Sequence, residues 1–308
     1  MKRVLLLLVG IPLGLVIVVA AVLWSKQNPI AVTILYPAIE PILPEMVEIP
    51  AGPFLRGNPT GTDFEKPVRT IHVSAFRIGK HEVTNEEWKR FADSTGRIYP
   101  VEPLHNEVQN YFLNYPKSPV VEISWEDAAA YCVWLSMKTG RDFHLPTEAQ
   151  WEKAARGGLD GMEFFWGNDR REGMAQHDVS WDIGPKDVGS FPPNGYGMYD
   201  VAGNVNEMVN DWYREDYFAS CPDRDPVGPS GLSAYLSLVS PSGTRARLKG
   251  RCKVIKGGSY RAPWSWRERN PDNMIETPVQ VGAREYVYQE PYTHFDLGFR
   301  VAEGGVWK

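Results

Sequence analysis

The sequence predicts a mixed α/β domain, helices early and irregular sheet late, carried behind an N-terminal transmembrane helix. Three observations predict it. An apolar run from Val4 to Trp24 follows Met-Lys-Arg at the start of the chain. Three helix starts with capping residues (Thr84, Ser124 and Thr147) fall in the first half. Beyond Gly158 no long helical period recurs, and short apolar runs broken by Gly and Pro take its place.

The N-terminal run is 21 residues long; as a helix it spans roughly 30 Å, the thickness of a bilayer core. Secretory signal cores are shorter, about 7 to 15 residues, so residues 1–28 read as an uncleaved anchor. Cleavage after Ala21 is the alternative. Lys2 and Arg3 ahead of the run, against Lys26 just after it, place the N-terminus inside. The body is then extracytoplasmic, which in a bacterium means the periplasm. Residues 29–45 read as a tether, because Pro29, Pro37, Pro41 and Pro44 interrupt any helix and favour extended backbone. Residues 46–308 read as one domain, without internal repeat.

That domain opens with Met46 to Gly57, two short apolar runs around Pro-Ala-Gly-Pro, a hairpin signal. Val68 to Lys80 alternates as a strand. Thr84-Asn85-Glu86-Glu87 opens a helix with Trp88 and Phe91 on one face, since the Glu can reach back to the N-terminal N–H. Ser124-Trp125-Glu126-Asp127 opens a second, ending near Gly140, with Cys132 as a buried thiol. Thr147-Glu148-Ala149-Gln150 opens a third, which stops at Gly157-Gly158. Phe299-Arg300-Val301 reads as a closing strand. Cys221 and Cys252 flank a polar insertion, and a disulfide between them would add about 3 kcal/mol in the chain-entropy model.

Composition excludes several classes. A net charge of −5 argues against general affinity for nucleic acid. No two of the six histidines form an HxH or HxxxH pair, and no phosphate loop or nucleophile elbow is present. Zinc and covalent haem lack their cysteine patterns. Asp200 to Tyr213, DVAGNVNEMVNDWY, is rich in oxygen donors suited to calcium; it also reads as a capped turn before a helix that buries Met208 and Trp212. Lys256 to Asn270, KGGSYRAPWSWRERN, interleaves Arg261, Arg267 and Arg269 with Trp264 and Trp266. Aromatic faces between guanidinium groups suit a recognition wall. Inward packing of the two tryptophans is the plainer reading. From Asn270 to Phe295, tyrosines mixed with charges suit a second contact surface.

Several of these stretches together resemble the formylglycine-generating enzyme, or sulfatase-modifying factor, family. They are Met46–Gly52, Leu145–Glu152, Asn194–Val205, Lys256–Tyr260 and Leu297–Ala302, in family order. The resemblance implies the family's C-type-lectin-like fold. It also implies a calcium site on Gly203, Asn204, Val205 and Glu207, although the usual tryptophan before the glutamate is Asn206. The loop Ala175 to Asp182 lacks the acids and glycines of a second calcium site. Catalytic members carry two cysteines after the Gly-Gly-Ser segment that bind copper and activate oxygen. The matching positions here are Ala262 and Arg267, neither of which can act as a soft, redox-active ligand. No copper and no formylglycine generation are therefore expected.

Three functions remain. The adopted reading is a membrane-anchored, extracytoplasmic binding or scaffold subunit that meets a membrane-associated protein through Arg261, Trp264, Trp266, Arg267 and Arg269. An oxidoreductase maturing an exported peptidic metabolite on the same fold is the alternative, and formylglycine generation ranks last.

Overall fold

The structure, a computed structural model, describes residues 4–7, 20–23, 39–103, 108–180, 182–231, 233–239, 245–249, 252–263, 278–288 and 292–307. At the N-terminus, β1 (Val4–Leu7) pairs antiparallel with β2 (Ala20–Leu23). The apolar run was expected to form a transmembrane helix. Its two described ends are strands instead, and no described helix is long and apolar enough to cross a membrane. A run rich in Val and Leu has strand propensity as well as apolarity, and Pro12 within it would remove a helical hydrogen bond.

The body begins with β3 (Met46–Ile49), β4 (Gly52–Arg56), β5 (Arg69–Val73) and β6 (Phe76–Gly79). Here the expected hairpin is corrected. β3 pairs with β6, and β4 pairs with β5, so Pro50 and Ala51 carry the chain from one sheet into another. Alternation located the strands but could not choose their partners.

Three helices follow the predicted caps: α1 (Asn85–Thr95), α3 (Trp125–Thr139) and α4 (Glu148–Arg156), with the single turn α2 (Tyr111–Asn114) between the first two. Thr84 N–H donates to Glu87 Oε2 at 2.7 Å, and Thr147 N–H to Gln150 Oε1 at 2.9 Å, closing both boxes. Left-handed glycines Gly96, Gly140 and Gly157 end the three helices. Trp88 and Phe91 of α1 meet Tyr131 of α3 and form one core cluster with Phe299, while Cys132 is buried beside them.

A four-stranded sheet, ordered β3-β6-β14-β7, joins these helices to the chain end through β7 (Phe143–His144) and, last in the chain, β14 (Ala302–Glu303). A second, ordered β12-β11-β8-β13, contains β8 (Asn206–Trp212), β11 (Cys252–Lys256), β12 (Glu285–Tyr288) and β13 (Leu297–Gly298). The remaining described elements are a 3-10 turn (Asp63–Glu65), the turn α5 (Tyr217–Ser220) and the hairpin of β9 (Tyr235–Val239) with β10 (Arg245–Lys249).

Three more expectations are revised. Asp200 to Tyr213 leads into a strand, not a helix; β8 is buried almost throughout, so it lacks the one-sided alternation that marks a strand in sequence. Phe299 to Val301 lie between strands, and the ladders fall on the residues either side. Cys221 forms no disulfide. It is a buried thiol whose Sγ accepts from Arg56 Nη1 at 3.6 Å and Arg69 Nη1 at 3.5 Å.

Candidate functional site

The Gly-Gly-Ser segment leaves β11 through two left-handed glycines, Gly257 (φ +88°) and Gly258 (φ +71°). A side chain on Gly257 would place its Cβ 3.2 Å from the Trp151 ring, so the close approach to α4 requires glycine. Gly257 also accepts from Gly203 N–H at 2.9 Å, and Tyr260 N–H donates to Asn204 O at 2.9 Å. Two motifs far apart in sequence are thus stitched main chain to main chain. Gly203 itself (φ +77°) has no room for a Cβ, which would lie 1.9 Å from Gln176 O.

Residues 175–180 run along the other side. Val179 N–H donates to Tyr260 O at 2.9 Å, and Asp178 N–H to Ala262 O at 3.1 Å. Ala262 is a fully buried methyl group. Of the predicted wall, Arg261 is half-buried, its guanidinium 5.5 Å from the centre of the Phe295 ring. Trp264, Trp266, Arg267 and Arg269 lie outside the described residues.

Phe295 belongs to the closing loop Tyr292 to Asp296, which enters β13. Within it, His294 Nδ1 donates to the Asp296 carboxylate. The Asp296 side chain is 3% exposed and that of His294 is 22% exposed. The imidazole lies parallel to Tyr292, with centroids 6.0 Å apart, and against Phe295 at 4.2 Å. The main chain is pinned as well: His294 O accepts from Glu122 N–H and Leu297 N–H, both at 3.1 Å, and Asn206 N–H donates to Asp296 O at 2.8 Å. Glu122 sits at φ +57°, an uncommon backbone state for glutamate, and its Oε2 accepts from Thr293 Oγ1 at 2.7 Å.

Behind this face lies an ionic interior. Glu207 accepts from Arg300 Nε and Nη2, each at 2.6 Å, and from Trp151 Nε1 at 2.7 Å. Glu82 accepts from Asn204 Nδ2 at 2.8 Å. Burial, then the charges of Asp200 and Glu207, hold the Glu82 carboxyl well above the usual carboxylate range. One helical turn apart on α4, Glu148 and Glu152 point into the same interior. Glu148 meets Arg284 Nε and Arg56 Nη2, both at 2.8 Å. Glu152 meets Arg156 Nη2 at 2.7 Å and Lys256 Nζ at 3.4 Å. Burial alone would raise the Glu152 pKa, but Lys256 and Arg156 bring it down to about 2.

These contacts decide how well the predicted calcium residues fit the ion. Both Glu207 oxygens face Arg300, Asn204 Oδ1 accepts from Lys186 N–H at 2.9 Å, and Asn204 O is taken by Tyr260. Gly203, Asn204 and Val205 lie in the turn that leads into β8 and Glu207 lies in β8 itself, where Arg300 engages both of its carboxylate oxygens. Among the described residues no group of three or more His, Cys, Asp or Glu is placed to hold a metal ion.

Sequence reasoning found the two glycine turns. It missed the His294–Asp296 pair, which spacing of two does not flag, and the ionic interior, where Glu148 meets partners 92 and 136 residues away. The one available signal was Glu148 and Glu152 at i and i+4 on a helix whose residues are all buried.

Comparisons with known proteins agree with this architecture. Residues 36–304 match the model of the sulfatase-modifying factor enzyme 1-like domain. The formylglycine-generating enzyme of Thermomonospora curvata is 31% identical over 269 residues, covering 70% of this chain and 82% of the relative. A protein of Bos taurus named inactive C-alpha-formylglycine-generating enzyme 2 is 32% identical, covering 67% and 81% respectively. Among solved structures, PvdO from Pseudomonas aeruginosa superposes with a TM-score of 0.64 at 25% identity, over 84% of this chain and 94% of its own. The chain belongs to the sulfatase-modifying factor family.

Proposed function

We propose that this chain is a copper-independent member of its family, a binding or scaffold subunit whose working face is the Gly-Gly-Ser segment and the closing loop beside it. The observation that carries the reading is Ala262. A buried methyl group stands at the first copper-ligand position, and Arg267 stands at the second. The chain's three cysteines are buried in the core, in α3, after α5 and in β11. The relative named inactive supports a non-oxidase role.

The apolar run Val4 to Trp24 and the prolines after it support membrane attachment, with the body outside the cytoplasm. Confinement near the membrane raises the effective concentration of the face toward neighbours there. Its partner in this reading is a membrane-associated protein, met through Arg261, Trp264, Trp266, Arg267 and Arg269, residue types enriched at binding hot spots.

Two measurements test the reading. Incubation with copper, oxygen and a Cys-x-Pro-x-Arg peptide leaves the peptide mass unchanged, and turnover would overturn the loss of oxidase chemistry. Gentle solubilisation from the native membrane recovers a partner that the Trp264→Ala, Arg267→Ala double variant loses. A protein that runs alone would refute the contact.

A further inference from the structure

Beyond a binding role, the closing loop carries a device that binding alone does not require. A carboxylate can only accept, so Asp296 fixes the proton of His294 on Nδ1 and leaves the lone pair on Nε2. The pair is held rather than loose. Asp296 is buried, His294 O is pinned by Glu122 and Leu297, and the ring lies parallel to Tyr292 and against Phe295. The left-handed backbone at Glu122 places the N–H that clamps His294 and the carboxylate that takes Thr293. Among the described residues, the charged or titratable groups near the loop that carries the ring are Asp296, Glu122, Tyr292, Tyr260 and Arg261. The side chain keeps about a fifth of its surface open, 22%. A buried carboxylate orienting a partly exposed imidazole is the arrangement that general-base chemistry uses.

We propose that His294, oriented by Asp296, is a proton-accepting site on this face, acting on a weakly acidic hydroxyl of a ligand seated between Tyr292, Phe295 and Arg261. In the step, the ligand O–H bond breaks, its electron pair stays on oxygen, and the proton bonds to Nε2. The imidazolium so formed keeps its Nδ1–H on Asp296 and later returns the proton to water or product. No oxidant, reductant or metal enters the balance. Arg261 supplies the positive charge that an oxyanion formed there would meet, and the flat rings favour an aromatic hydroxyl.

The probe is diethyl pyrocarbonate on the full chain at neutral pH, followed residue by residue by mass spectrometry. The Nε2 lone pair bonds to a carbonyl carbon, and the bond to the ethyl carbonate leaving group breaks. That group ends as ethanol and carbon dioxide, while Nδ1 gives up its proton. His294 is expected to react faster than every other histidine of the chain. Asp296→Asn would let an amide N–H donate to Nδ1, move the ring proton to Nε2, and slow the reaction about tenfold, the scale of one charged hydrogen bond. A histidine that is only exposed would keep its rate in that variant. Equal reactivity among the histidines, or an unchanged rate in Asp296→Asn, overturns the proposal. Should Asp296→Asn fail to fold, nitrogen-15 NMR of the unaltered chain decides: a proton on Nδ1 is required, and a proton on Nε2 refutes it. Loss of the partner in the pull-down leaves these outcomes untouched, so the two readings fail separately.

Discussion

Replacing Glu148 with alanine tests whether the ionic interior holds the fold. Its carboxylate is fully buried and receives Arg56 on one side and Arg284 on the other, each at 2.8 Å. The side chains of both arginines are also out of solvent, at 1% and 0% exposure. The variant would leave two buried guanidinium groups with Glu152 and Asp211 as neighbouring buried carboxylates, the first already engaged with Arg156 and Lys256. Removing one member of a buried pair typically costs about 3 to 5 kcal/mol, because the remaining charge has lost its solvent and its partner. Two stranded charges place Glu148→Ala at the upper end of that range, about 5 kcal/mol, against a total stability of about 5 to 15 kcal/mol. In a domain this size the melting temperature would fall by on the order of 10 °C or more. Urea denaturation followed by tryptophan fluorescence measures it. The control is Asp93→Ala, which removes the surface pair with Lys89 at 2.6 Å and is expected to cost under about 1 kcal/mol. If Glu148→Ala costs no more than the control, the interior is not held by these charges and the reasoning fails.

Two further predictions follow from the same contacts. Burial raises the Glu87 pKa from 4.5 to about 7. The folded state therefore holds a proton that the unfolded chain has released, so this group's contribution weakens as pH rises from 4.5 toward 7 and is recovered on acidification. Glu87→Gln should flatten that part of the stability–pH curve and gain about 2 kcal/mol near pH 8, and an unchanged curve would dismiss the assignment. Since Glu207 faces Arg300, adding EDTA should leave the melting temperature unaltered, while Glu207→Ala should lower it, with a loss of about 3 to 5 kcal/mol of stability. A melting temperature that drops with EDTA would restore calcium to this turn.

What the sequence determined alone was local. Caps at Thr84, Ser124 and Thr147 start their helices because each start is closed within four residues, and Gly140 and Gly157 stop theirs for an equally local reason. The family's motifs were legible for the same cause. Tertiary structure decided the pairings. β3 left its apparent hairpin partner for β6, because strand pairing is fixed by the whole sheet and not by the intervening turn. The stretch after Asp200 became β8, since a strand buried on both faces carries no alternation to read. Glu148, Arg56 and Arg284 found one another across long sequence separations. Charges so placed look like ordinary surface residues in the sequence. Only the fold, by withdrawing them from water together, turns them into a structural interior.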